Sequence, residues 1–153
     1  MPTFGYSIKG LDETKSVLAS GRDLNISFKE AVEVCRYIKG RSLEEVKAIL
    51  NDIIEGKRAI PFRRFKKKVP HHKNNGKIGS ARYPIKVAKE LLKLVESLES
   101  NAEFKGLDIS KVKLIHCCAQ KSFKIKKYIP RAFGRSTPYF RELVHIELAG
   151  VES

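Results

Sequence analysis

The chain has 153 residues, enough for one domain with its own core, and 31 Lys and Arg against 17 Asp and Glu give it a formal net charge of +14. Its three cysteines, Cys35, Cys117 and Cys118, are odd in number and lack C-x2-C spacing, which excludes a disulfide framework and a cysteine zinc site. No run approaches the ~18 apolar residues of a membrane helix and no signal-peptide pattern opens the chain, so the expectation is a soluble, cytoplasmic protein with no membrane association.

Residues 1–13 carry little pattern; Phe4 and Tyr6 are candidates to pin them to the body or to a partner. Residues 16–23, with Val17 and Leu18 ahead of Gly21-Arg22, predict a short strand. Ser27 and Glu30 have capping-box spacing, and Phe28, Ala31, Val32, Cys35 and Ile38 then form a helical stripe that Gly40 stops. Ser42 and Glu45 repeat the box; Leu43, Val46, Ile49, Leu50, Ile53 and Ile54 form the second stripe, ended by Gly56. The two helices make an αα-hairpin through Gly40-Arg41.

From residue 57 the chemistry changes. Residues 57–89 hold twelve Lys and Arg and no acid. Across 57–82 there is no sustained period, and Pro61, Pro70, Gly76 and Gly79 interrupt it. The prediction is an extended basic RNA-binding loop over 57–83, ordered by its partner rather than by a core of its own. Phe62, Phe65 and Tyr83 lie among the bases, so aromatics are available to stack while cations meet phosphates; for Phe62, packing on the body is the expected fate. Pro84 suits the first position of a third helix, with Ile85, Ala88, Leu91, Leu92, Val95 and Leu98 as its stripe and a stop near Gly106.

Residues 111–151 predict a β-hairpin. Val112, Leu114, Ile115 and Cys117 open it, and Val144, Ile146 and Leu148 alternate with His145, Glu147 and Ala149 at its close, the period of a half-buried strand. Between them, residues 120–141 carry seven bases and no acid, with Pro130 and Gly134 placing the tip near 130–136. At ~3.3 Å per residue, one limb of this arm reaches about 40 Å. The fold class is α+β: three helices packed on a small three-stranded antiparallel sheet, its third strand at 16–23, in a single domain over 1–153 with a long protruding basic β-hairpin.

The two acid-free segments hold 19 of the 31 bases, so the other 12 face all 17 acids and the body is mildly acidic. Such clustering is the electrostatic footprint of nucleic-acid binding. The candidate RNA contacts are Arg22, Lys57, Arg58, Arg63, Arg64, Lys66, Lys67, Lys68, His71, His72, Lys73, Lys77, Arg82, Lys121, Lys124, Lys126, Lys127, Arg131, Arg135 and Arg141. Catalysis is not expected. His71-His72 is the only histidine pair and its nearest carboxylates in sequence are Glu55 and Glu90, whereas acid-base or two-metal chemistry needs acids close by. His116, Cys117 and Cys118 do not converge, because strand alternation points Cys117 away from the other two. No metal or cofactor is implied. The reading is a structural RNA-binding protein; the alternative is an architectural DNA- or RNA-binding protein with a β-ribbon arm.

The ordered set Ser97-x-x-x-Asn101-Ala102-Glu103, Ile129-Pro130-Arg131-Ala132-Phe133-Gly134-Arg135 and Val144-His145-Ile146, with the helix closing as Tyr37-Ile38-Lys39-Gly40, resembles the large-subunit ribosomal protein family number twenty-two. The segment Arg58-Ala59-Ile60-Pro61-Phe62-Arg63-Arg64-Phe65 is similar to its archaeal and eukaryotic branch. One departure is Glu142-Leu143-Val144, where the family often carries Arg-Thr ahead of His-Ile. The resemblance implies large-subunit rRNA, neighbouring large-subunit ribosomal proteins and the nascent peptide as partners, a place in the large subunit, and a tip, Arg131, Ala132, Phe133, Gly134 and Arg135, that lines the peptide exit tunnel.

Overall fold

The computed structural model describes residues 5–74 and 77–152, those at 74 and 77 by their backbone alone. Phe4 and Gly76 lie outside the described residues, as does the side chain of Lys77. Along the chain the elements are β1 (Ser16–Leu24), α1 (Phe28–Ile38), α2 (Leu43–Ile54), β2 (Ile60–Pro61), β3 (His71–Asn74), β4 (Lys77–Arg82), α3 (Ile85–Phe104), β5 (Val112–Ile125), β6 (Tyr128–Pro130), β7 (Ser136–Pro138) and β8 (Arg141–Glu152).

The body is an antiparallel sheet ordered β1-β8-β5 with the helices on one face. Val17 pairs with Gly150, Ala19 with Leu148, Leu114 with Gly150 and Cys117 with Leu148, so these positions share the helix-facing side. The register slips between Leu114 and His116. That bulge spends one extra residue, Ile115, and lets Leu114 and Cys117 both enter the core although they are three apart. Val34, Cys35 and Ile38 of α1, Val46, Leu50 and Ile53 of α2, and Ala88, Leu91, Val95 and Leu98 of α3 complete the core. The turn between α1 and α2 is stitched to β5: the Gly40 N–H donates to the Leu114 carbonyl at 2.7 Å and the Leu114 N–H to the Arg41 carbonyl at 2.9 Å.

The α+β arrangement, the αα-hairpin and the basic β-hairpin stand as the sequence predicts. Several local expectations do not. Ser27 takes the N-cap position of α1 but its side chain accepts no capping bond; the Glu30 carboxylate lies 4.0 Å from Arg82 instead. Ser42 does cap α2, accepting from the Glu45 N–H at 3.4 Å. On α1, Val34 rather than Val32 is fully buried, and Glu33 is 1% exposed, because residues 62–65 cover that flank. On α3, Pro84 is the N-cap rather than the first helical residue, and Val87 replaces Ile85 in the buried stripe.

Residues 57–82 are not structureless. β4 is the central strand of a second antiparallel sheet, ordered β2-β4-β3, pairing Ile60 with Arg82 and His71 with Ser80. Pro61 lies on an edge strand and Pro70 precedes one, where a missing N–H is tolerated. The usual alternation is absent because, among the described residues of this segment, only Ala59, Ile60, Phe62 and Ala81 reach the interior.

The far face of the main sheet is not simply solvated either. Glu147 is 1% exposed, and the Ser7 N–H and hydroxyl both donate to its Oε2, at 2.9 and 2.6 Å. The described part of the N-terminal segment is thus tied to the sheet at Ser7 through polar groups.

Candidate nucleic-acid interface

The first basic arm begins with an anchor. Ala59, Ile60 and Phe62 are buried against the body, and the chain then crosses α1 at Glu33. The Glu33 carboxylate accepts three backbone N–H groups: Arg63 at 3.2 Å, Arg64 at 2.7 Å and Phe65 at 2.8 Å. Successive amides wrapped around one anion form a nest. With the backbone turned inward, the Arg63 and Arg64 side chains are exposed. Arg64 and Lys29 lie over the Phe65 ring at 5.4 and 5.9 Å, and Phe65 meets Phe28 edge-on at 6.3 Å.

A groove of about 330 Å³ runs along this strap, lined by Lys29, Arg64, Lys67 and Arg82 among others. A second, of about 480 Å³, starts from the same first turn of α1 and is lined by Lys29, Lys86, Phe140, Arg141 and Glu142. Ser27, Lys29 and Glu30 belong to both. The start of α1 therefore stands between the loop arm and the root of the hairpin, and the two basic segments meet in one rim. Lys121 reinforces the junction, its Nζ 5.1 Å from the centre of the Phe28 ring.

Beyond Lys121 the hairpin leaves the body: residues 123–141 are all exposed. The register slips between Lys121 and Lys124. β6 and β7 then form a two-stranded ribbon, pairing Tyr128 with Pro138 and Pro130 with Ser136. At the apex Phe133 and Gly134 both have positive φ, 60° and 65°, as in the turns that fit the twist of a hairpin. Glycine adopts this conformation freely, but for Phe133 it carries a steric cost, and that ring is 97% exposed. Phe123, Tyr128, Tyr139 and Phe140 also show aromatic surface along the arm, with Tyr128 and Phe140 edge-to-face at 5.7 Å.

Among the described residues, Arg63, Lys66, Lys67, Lys68, Lys73, Lys126, Lys127, Arg131, Arg135 and Arg141 have exposed side chains and form no ion pair. Others of the predicted contacts are partly engaged. Arg58 pairs with Asp52 at 3.1 Å and Lys57 with Glu55; Lys124 pairs with Glu142 at 2.9 Å, with Lys121 3.9 Å away. The hydrogen bond from Lys124 holds the Glu142 carboxyl below its ordinary value, so this acid at the hairpin root stays charged. Arg22 faces inward, 3.4 Å from Glu147. Burial pushes the Glu147 carboxyl up, but the hydrogen bonds it accepts from Ser7, together with the nearby Arg22 and His116, outweigh it and the net shift is downward. His72 stacks edge-on with Tyr83 at 5.3 Å, while His71 is exposed.

Three residues of the rim were not among the sequence candidates. Lys86 carried a usable signal, its place in the acid-free run. Lys29 had none, because it sits in a helix whose next polar positions, Glu30 and Glu33, are acids. Glu33 reads as an ordinary polar helix position, and its role appears only once residues 63–65 are laid across it.

Cys35 and Cys117 are core residues as expected; burial, then contact with Cys35, pushes the Cys117 thiol well up, away from reactive thiolate. Among the described residues no three His, Cys, Asp or Glu side chains are grouped to hold a metal ion, and no helix is long and apolar enough to cross a membrane.

The sequence matches the family model of ribosomal protein L22p/L17e over residues 19–149. It is 49% identical over 152 residues to the large ribosomal subunit protein uL22 of Thermofilum pendens, covering 99% of both chains. To the uL22 proteins of Archaeoglobus fulgidus and Cenarchaeum symbiosum it is 49% identical over 148 residues and 46% over 153, covering 97% and 100% of this chain and 96% and 100% of theirs. These relatives are ribosomal proteins, not enzymes, and the chain belongs to the ribosomal protein L22p/L17e family.

Proposed function

We propose that this protein is a structural constituent of the large ribosomal subunit, holding large-subunit rRNA between its basic loop and its β-hairpin and placing the hairpin tip in the wall of the peptide exit tunnel. The observation that carries the reading is the rim: two acid-free segments, distant in sequence, are brought together at the first turn of α1, with unpaired cations along both and exposed aromatic rings along the hairpin. Phosphate contacts would supply most of the affinity. Exposed rings stack on unpaired bases, and the extended arms follow RNA shape rather than read its sequence. The rRNA contacts are the twenty residues named from the sequence, with Arg22 acting from its place beside Glu147, and neighbouring large-subunit proteins complete the surroundings.

At the tip, Arg131 and Arg135 bracket a turn closed by an Arg131 N–H to Arg135 carbonyl bond of 2.7 Å. Their planar guanidinium groups suit bidentate phosphate contacts that lysine cannot reproduce. Arg131, Ala132, Phe133, Gly134 and Arg135 form the proposed tunnel-lining set, and the nascent peptide is the partner that passes Phe133. The test is a photo-crosslinker at position 133 in intact ribosomes carrying a stalled nascent chain. Crosslinks to the peptide or to tunnel-wall rRNA are expected; crosslinks only to RNA on the outer surface of the subunit would overturn the tunnel assignment.

A further inference from the structure

The loop arm is held to the body in two different ways. Up to Phe62 it is held by apolar burial and β-pairing. From Arg63 to Phe65 its backbone hydrogen bonds go to one side chain, Glu33, whose carboxylate is 1% exposed and takes all three amides within 3.2 Å. A carboxylate in so basic a neighbourhood is the wrong charge for an RNA surface. Its use must therefore lie in geometry rather than in the field it adds.

That geometry divides the strap. Arg63 lines a groove of about 180 Å³ with Arg36, Tyr37 and Arg41, while Arg64 and Phe65 line the larger groove with Lys29, Lys67 and Arg82. Without the nest, the strap keeps only the contacts of the Phe65 ring with Phe28 and Lys29 to hold neighbouring arginines over separate grooves, because 63–65 makes no β-pairing.

We propose that Glu33 is a positioning residue for RNA binding: by clasping the amides of Arg63, Arg64 and Phe65 it pre-forms the loop arm, so that Arg63 and Arg64 meet the RNA backbone over two separate grooves. This rests on the RNA-binding reading above. It makes a prediction opposite in sign to simple electrostatics. Replacing Glu33 by a neutral residue removes a negative charge from a cationic surface, which by Coulomb attraction alone tightens RNA binding. If the carboxylate acts through geometry, the same change weakens it, because only the fraction of molecules with an ordered strap binds well. A strap ordered a tenth of the time raises the apparent Kd about tenfold.

The experiment uses the full chain, wild type and Glu33→Gln, with a homopolymeric uridine RNA and an RNA duplex as probes, alongside amide hydrogen exchange on the RNA-free proteins. Expected are slow exchange at Arg63, Arg64 and Phe65 in the wild type, loss of that protection in Glu33→Gln with α2 and α3 still protected, and about tenfold weaker RNA binding. Unprotected wild-type amides at 63–65 would overturn the clasp on their own, with no variant needed. Unchanged or tighter binding by a folded Glu33→Gln protein would overturn its role in RNA binding. Loss of protection in α2 and α3 would make Glu33 a general core residue and equally overturn the proposal. Failure of the wild type to bind either RNA, with 63–65 protected, would instead overturn the RNA-binding reading and leave the clasp as a fold feature only.

Discussion

At Gly150, β8 passes beneath Val112 and Leu98. A Cβ there would lie 2.7 Å from Val112 Cγ1 and 3.4 Å from Leu98 Cδ2. Val112 is fully buried and β-branched, so it cannot swing aside. Gly150→Ala is expected to cost about 1–3 kcal/mol, the range for overpacking a core, measured by denaturant unfolding; an unchanged midpoint would show that the strand can shift. Glu147 predicts a pH dependence. Its folded-state pKa lies below the ordinary carboxylate value, so its stabilisation is fully present above the unfolded value and is lost as pH falls through the folded one. The stability gap between wild type and Glu147→Gln should be constant near neutrality and shrink below about pH 4, where free Glu takes up its proton. A gap that persists unchanged into strong acid would remove the Ser7–Glu147–Arg22 cluster from the account.

The elements differ in how openly the sequence announces them. α2 was readable because Leu43, Val46, Leu50 and Ile53 keep helical period and Ser42 caps it; the hairpin was readable because Val144, Ile146 and Leu148 keep period 2. β3 and β4 were not, because a strand with both faces largely open need not alternate, and Ile78 stays exposed within it. The bulge at Ile115 was equally hidden, since no glycine or proline marks it. At the hairpin tip the account predicts independence from the body. Residues 131–135 touch no core element and are all exposed, so their deletion should change unfolding free energy by less than about 0.5 kcal/mol, as for surface changes away from any special feature. A larger loss would mean that the tip closes the hairpin register for the whole sheet.

At the scale of the whole molecule, charge was legible and its assembly was not. Counting bases located both arms, but nothing in the sequence showed that Lys29 and the first turn of α1 join them, because the join is made by chain segments that meet only in the folded protein. The central claim is that this joined rim faces phosphate. The direct measurement is the salt dependence of RNA binding by the full chain. If about 8 to 10 of the clustered bases reach phosphates, log K against log salt should fall with a slope of about −6 to −9, and replacing Arg63, Arg64, Lys66, Lys67 and Lys68 by Gln should flatten it by up to about 3.5 to 4.5, the full value when all five meet phosphate. A slope left unchanged by those five replacements would contradict the account, since the loop arm would then bind no phosphate.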